Sequence, residues 1–229
     1  MKENVYKLTF KDDIIDAILC LDAVLPGNEV FSLFKGIPII AADGASIKLY
    51  EKSIIPNYII GDLDTFLSNP LSDKLKTLSE VIYIPEQETN DFEKSLNFCI
   101  KKDWKNILIF GLHGGVLEHT LNNWSIIKKF SRIMNLCIYD EERYGIPVHN
   151  SINFDTKKDE IISIIPQYIA KLTTKGLQWK LENETLEFGI REGFRNRAKV
   201  DYIEIILHSG EYLLFMDNRL PKMPVFEMK

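Results

Sequence analysis

At 229 residues, with 45% hydrophobic and 27% charged content, the chain carries enough apolar material for one large core or two modest ones, and is neither disordered nor fibrous. A net charge of -5 argues against a protein whose affinity comes from neutralising many phosphates along a nucleic-acid backbone. Three cysteines, each inside an apolar run and none in a CxxC pair, fit a reducing cytoplasm; neither a signal peptide nor a membrane span is expected.

Up to about residue 140, short apolar runs alternate with amphipathic stretches. The runs are Ala17–Leu21, Ile37–Ala42, Asn57–Ile60, Glu80–Ile84, Asn106–Phe110 and Met134–Tyr139. Their hydrophobicity is continuous rather than alternating, which marks strands covered on both faces. Helices are predicted between them near Glu29–Lys35, Ala45–Lys52, Ser72–Leu78, Asp91–Lys101 and Glu118–Arg132, and Val24–Gly27 reads as a loop. This alternation predicts an α/β fold: an N-terminal doubly wound, mostly parallel sheet with helices on both faces, and ligands outside the carboxyl ends of its strands. Past Asp140 the pattern changes. Ile161–Pro166, Ile169–Thr174, Thr185–Gly189, Ala198–Leu207 and Tyr212–Met216 are β-rich and separated by turn signals, which predicts a C-terminal antiparallel β-sandwich. The expected division is therefore 1–140 for a nucleotide- and metal-binding catalytic domain and 141–229 for the sandwich, with no internal repeat.

Carboxylates gather where the predicted strands surface. Asp43 closes the run Ile37–Ala42, and Gly61-Asp62-Leu63-Asp64-Thr65 follows Tyr58-Ile-Ile. In an extended segment, residues two apart point the same way, so Asp62 and Asp64 can converge with Leu63 turned toward the core. Three carboxylates at one sheet edge make a hard-cation site, and magnesium in such sites takes its remaining ligands from substrate phosphates. Strand-end aspartates also serve as plain caps and turn residues. Asp91 stands in the first turn of a predicted helix, where it is either a cap or a fourth acidic group of the same crevice, with Gln87 and Glu88 just upstream. The segment Ile107 to Trp124 runs from a strand through Gly111, Gly114 and Gly115 into a helix, a turn whose amides can approach a phosphate. It is neither a Walker loop nor a dinucleotide fingerprint. His119 and Asn123 share one face of that helix, and Glu118 lies at the turn itself.

The ordered set Ala42-Asp43-Gly44-Ala45, Gly61-Asp62-Leu63-Asp64, Gln87 through Asp91 with Lys94 and Leu96, and Gly111 through Asn123 resembles thiamine pyrophosphokinase. The resemblance continues through Thr174–Leu181, Leu186–Gly189 and Asn196, and so covers nearly the whole chain. It implies a homodimer that moves the pyrophosphoryl group of ATP, with magnesium, onto the hydroxyl of thiamine, leaving AMP. Thiamine is then expected between the first domain of one subunit and the sandwich of its partner. The resemblance assigns Asp43, Asp62, Asp64 and Asp91 to magnesium and the polyphosphate. A nearby aspartate can also accept the alcohol proton, with Asp64 and Asp91 both candidates. Gln87 is expected near nucleotide or thiamine, Glu118 facing the cationic thiamine, and His119 and Asn123 supporting the loop. Asn90, Lys94, Gly111, Gly114 and Gly115 complete the expected binding set, and Arg195-Asn196 is expected to reach thiamine across the dimer. No nucleic-acid or membrane partner is expected.

Three positions depart from the family pattern: Asn90 stands for its usual Thr, Val116 for an Arg, and Arg195 for a Ser. Val116 cannot replace a guanidinium on phosphate; Lys48, Lys94 or a basic residue supplied across the dimer, Arg195 or Arg197, could compensate. Two other readings stay open on these grounds: a pyrophosphoryl transferase for another alcohol, and a catalytically weakened thiamine- or nucleotide-binding module. Trp124 is expected in the core, while Trp179 can pack inside the sandwich or face the site. Arg191, Arg195, Arg197 and Lys199 form a basic cluster around Phe194; a nucleic-acid patch is one reading, but the acidic total favours a solvated sandwich edge or a dimer-site wall.

Overall fold

A computed structural model describes residues 5–228, which group into two compact units, Ile14–Glu141 and a second made of the N-terminal segment through Asp13 with Glu142 onward. In chain order, β1 (Val5–Lys11) is followed by β2 (Ala17–Cys20), α1 (Asn28–Phe31), β3 (Ile39–Ala42), α2 (Ala45–Glu51) and β4 (Tyr58–Gly61). Then come α3 (Asp64–Ser68), α4 (Ser72–Leu75), β5 (Glu80–Tyr83), α5 (Asp91–Lys101), β6 (Asn106–Phe110), α6 (Leu117–Phe130) and β7 (Asn135–Asp140). The remaining strands are β8 (Arg143–Val148), β9 (Ser151–Asp155), β10 (Ile161–Lys175), β11 (Glu184–Glu187), β12 (Gly193–Arg197), β13 (Tyr202–Asp217) and β14 (Met223–Met228).

In the Ile14–Glu141 unit the strands run parallel in the order β7-β6-β2-β3-β4-β5. Ile18, Leu19, Ile59, Ile60, Leu108 and Ile109 are fully buried, each side chain contributing about 1.5–3 kcal/mol by leaving water. Strand order reverses at β2; where right-handed crossovers travel in opposite directions from such a point, helices come to lie on opposite faces of a sheet. The crevice opened by that reversal, at the carboxyl ends of β2 and β6, is where such sheets take ligands. All six parallel strands lie where the apolar runs predicted them.

The second unit is built on two long strands, β10 and β13, antiparallel to each other over most of their length. One end of this pair is extended by β8 and β12, the other by β9 and β11. Ile161–Pro166 and Ile169–Thr174 are thus one strand rather than two, carried past Pro166 by a register shift. The first strand of the chain also belongs here: β1 pairs antiparallel with β14 and parallel with β9. An N-terminal domain starting at residue 1 is therefore corrected to one starting near Ile14, because the ladder partners of β1 are all in the second unit. Cys20, Cys99 and Cys137 are buried free thiols, and burial pushes Cys99 up to about 12. No helix among the described residues is long and apolar enough to cross a membrane.

Candidate active site

Asp43 leaves the end of β3 with a left-handed φ of 40°, a conformation Asp tolerates better than most residues. Its backbone amide still joins the ladder through Ile60 O, and its carboxylate turns to α3, accepting from the Phe66 and Thr65 amides at 3.0 and 3.3 Å. Burial pushes this carboxyl above its usual range, with the neighbouring Asp91 and Asp64 adding to the effect and the Phe66 amide and the Thr65 side chain opposing it.

Asp62 and Asp64 follow β4 through a turn rather than along an extended strand. Leu63 takes φ 64° and is buried, so the chain reverses around it and both flanking carboxylates face the same side. An apolar side chain in the left-handed region is strained, and such strain collects at functional sites. The expected convergence is present, but its cause is this turn, not strand pleating. One oxygen each from Asp43, Asp62 and Asp64 lies within 4.8 Å of the others, a spacing that suits a single hard cation. Gly61 makes room for it: a Cβ there would meet Asp91 Oδ1 at 2.8 Å and Asp43 Cβ at 3.2 Å.

Asp91 opens α5 beside this cluster rather than inside it. Its Oδ1 accepts from the Asp62 amide at 3.2 Å and from Lys94 Nζ at 3.3 Å, while Asn90 caps the helix by accepting from the Glu93 amide. Lys94, only 2% exposed, also reaches Asp62 Oδ2 at 3.5 Å, and Gln87 Nε2 donates to that oxygen at 2.9 Å. Desolvation raises Asp62, but the Gln87 amide and the Lys94 charge outweigh it and hold the carboxyl below its usual range. Asp91 goes the other way, raised first by desolvation and then by the Asp62 charge.

A cleft of about 280 Å³ opens next to these groups, lined by Asp22 and Ala23 after β2, Asn90 and Asp91 at the start of α5, and the turn after β6 with His119 and Asn123. Gly111 and Gly114 shape that turn at φ 71° and 98°, where a Cβ would strike Leu21 O and Val24 Cγ2, each at 2.4 Å. Gly115 is different, since its Cβ would meet nothing nearer than 3.8 Å. Asn123 Nδ2 donates to Leu112 O and braces the turn. Glu118 is exposed in the first turn of α6 and is not among the cleft-lining residues.

The C-terminal unit has its own cavity, of about 360 Å³, with Trp179, Phe194, Arg195 and Asn196 in its wall. The Asn196 side chain is spent on the protein: it accepts from the Trp179 and Arg197 amides and donates to Trp179 O. It fixes the Trp179 segment rather than presenting free polar atoms.

Models of two families cover most of the chain: "Thiamin pyrophosphokinase, catalytic domain" over residues 35–138 and "Thiamin pyrophosphokinase, vitamin B1 binding domain" over residues 149–205. The chain belongs to the thiamine pyrophosphokinase family. A Bacillus subtilis (strain 168) thiamine pyrophosphokinase is 27% identical over 157 residues, 66% of this chain and 73% of that protein. In fold the chain is similar to yeast thiamin pyrophosphokinase, with a TM-score of 0.77, 17% identity, and coverage of 90% of this chain and 87% of that one. The B. subtilis enzyme structure aligns at a TM-score of 0.72 and 18% identity, covering 89% of this chain and 99% of that one.

Within this thiamine pyrophosphokinase fold, Asp43, Asp62, Asp64, Asp91, Gln87 and Lys94 come together, and Asn90, Gly111, Gly115, His119 and Asn123 line the adjoining cleft. Arg195 and Asn196 sit in the C-terminal unit. Sequence reasoning missed Asp22, although it follows the apolar run Ala17–Leu21 just as Asp43 follows its own. It also missed His113, whose Nδ1 lies 3.0 Å from Asp140 Oδ1 and ties the glycine-rich turn to the end of β7.

Proposed function

We propose that this protein is a magnesium-dependent thiamine pyrophosphokinase, moving the pyrophosphoryl group of ATP onto the hydroxyl of thiamine and leaving AMP. The observation that carries the reading is the Asp43, Asp62 and Asp64 cluster beside a cleft at the strand-order reversal of the sheet. These donors suit magnesium: they are hard oxygens, they converge, and Gly61 leaves the space they need. When bound there, the ion supplies charge neutralisation to the phosphates.

The chain's own residues do the rest. Phosphoryl-type transfer depends on positioning and electrostatic stabilisation more than on covalent help. Gln87 and Lys94 hold Asp62 in place; the backbone at Gly115 and the start of α6 offers donors to phosphate oxygens. We assign the alcohol proton to Asp91, because it lines the cleft and stands outside the cluster, whereas a carboxylate committed to a cation is a poor base. The wall containing Trp179, Phe194 and Arg195 is the proposed thiamine surface of the C-terminal unit, engaged in a homodimer.

Incubation with ATP, magnesium and thiamine tests the reaction: AMP and thiamine diphosphate should appear together by chromatography. AMP released only with a different alcohol would replace thiamine as the acceptor, and tight binding of both substrates without product would leave a binding module. Light scattering tests the dimer, and a fully active monomer would refute it.

A further inference from the structure

The cleft is short of positive charge. Among the described residues that line it there is no lysine or arginine, and the glycine-rich turn presents Val116. Around it stand the carboxylates of Asp22, Asp43, Asp62, Asp64 and Asp91. Lys94 is buried at 2% exposure and engaged with both Asp62 and Asp91, so it is committed to holding the cluster together. A polyanion entering here needs a further positive charge, because magnesium alone must first offset its own carboxylate ligands.

Lys48, on α2, is the lysine placed to provide it. Its Nζ lies 2.8 Å from Asp22 Oδ1 and donates to Asp22 O at 3.1 Å and Ala23 O at 3.3 Å, on the segment that lines the cleft. Asp22 is held in that pose from the other side as well. Its Oδ2 lies against Gly44, where a Cβ would come within 2.5 Å, so the residue following Asp43 has to be small for the pair to form. Both side chains stay open to water, at 43% and 44% exposure. An exposed ion pair of this kind is weak and exchanges readily.

We propose that Lys48 is the cation that receives the polyphosphate of the nucleotide, and that Asp22 is its resting partner, giving up the ammonium when the phosphates arrive. The inference rests on the pyrophosphotransfer reading above and adds to it the residue that neutralises the phosphates where Val116 offers nothing. A lysine suits the task, being a compact charge on a flexible stem that can swing from one anion to another. Asp22 then has two effects of opposite sense. It orients Lys48 in the empty cleft, and it competes with the phosphates for the same ammonium.

That competition gives the pair a signature that a structural ion pair lacks. Binding of a non-hydrolysable ATP analogue with magnesium, and of AMP as a control, is to be measured by calorimetry on the full chain and on Lys48→Met, Lys48→Arg and Asp22→Asn. Lys48→Met should weaken the triphosphate analogue by about tenfold or more and AMP by less than about twofold. Lys48→Arg should recover most of the loss, and Asp22→Asn should tighten the analogue several-fold. Should Lys48→Met bind like the wild type, or should both Lys48→Met and Asp22→Asn weaken analogue and AMP alike, the pair only braces the loop and the inference is overturned. If Lys48→Met does not fold, the sign of the Asp22→Asn change decides. A wild-type chain that turns over ATP and thiamine while Lys48→Met binds normally sinks this inference alone; a wild-type chain that does not bind the analogue with magnesium sinks the transferase reading with it.

Discussion

Gly61→Ala is the substitution that tests the site most sharply, because it adds one methyl group and removes no functional atom. The new Cβ would stand 2.8 Å from Asp91 Oδ1, while ordinary contacts begin at 3.4 Å, so the carboxylate has to retreat by about 0.6 Å. That movement lengthens the 3.2 Å bond it accepts from the Asp62 amide, since Asp62 is the next residue along, and takes it past hydrogen-bonding distance. The same methyl meets Asp43 Cβ at 3.2 Å and pushes on the cation cluster from the other side. Overpacking of this size costs about 1–3 kcal/mol of stability, which a domain of ordinary stability survives. Displacement of reacting groups by a large fraction of an ångström is far more damaging to rate, on the order of 100-fold. The variant should therefore melt as a folded protein, a few degrees below wild type, with kcat down by about two orders of magnitude and weakened magnesium binding. Steady-state kinetics, a magnesium titration by calorimetry and a thermal melt on one preparation provide the three readings. Wild-type kcat and magnesium affinity in a folded Gly61→Ala protein would show that the carboxylates do not act as one constellation.

Asp62→Asn and Asp64→Asn should each abolish pyrophosphoryl transfer while leaving the far-ultraviolet circular dichroism unchanged; near-normal rates in both would remove the cation assignment. In the C-terminal unit, the Glu160 carboxylate is buried and accepts two bonds from Arg219, at 2.8 and 2.7 Å, with Thr156 Oγ1 and the Lys157 amide also on it. Arg219→Ala should cost about 3–5 kcal/mol in denaturant unfolding because it strands a buried charge, and a loss below about 1 kcal/mol would contradict that picture. Desolvation raises Glu160, but Thr156 and Arg219 overcome it and hold its folded-state value below the ordinary one. Its contribution to stability is thus complete above the usual glutamate range and is lost as pH falls through the depressed folded value. Wild type and Glu160→Gln should converge in stability over that acid interval, and a constant difference from neutral to strongly acid pH would refute the linkage. Asn90→Ala should cost about 1 kcal/mol through loss of the α5 cap, with hydrogen exchange rising first in that helix's opening turn.

The parallel sheet was legible because its strands are buried on both faces, so Ile37–Ala42 and Asn106–Phe110 stand out as unbroken apolar runs. The carboxylates were legible for the related reason that an Asp at the end of such a run surfaces at the ligand-binding edge. Less visible were β1 and β14, whose half-exposed residues pair across almost the full length of the chain, a relation that local pattern does not carry. The helix α3 was missed because its N-cap residue is Leu63, which has no side-chain bond to offer, and because Asp43, which takes the Phe66 amide and shares that of Thr65, comes from a distant part of the sequence. The mode of Asp62–Asp64 convergence was misjudged because nothing in Leu63 itself announces a left-handed backbone. Asn196 was placed in its motif by resemblance, yet only coordinates reveal that its amide group is consumed by the Trp179 main chain.

That β1 lies between β9 and β14 makes the Ile14–Glu141 unit an insertion within its neighbour. On a ribosome the inserted unit can fold as soon as it has emerged, whereas the surrounding one must keep its opening strand waiting for β9 and, on its other edge, for β14. A fragment beginning after Glu141 would expose two raw ladder edges where β1 had been, an invitation to intermolecular pairing. Joining the opening segment to that fragment through a short linker is the dissection this topology permits.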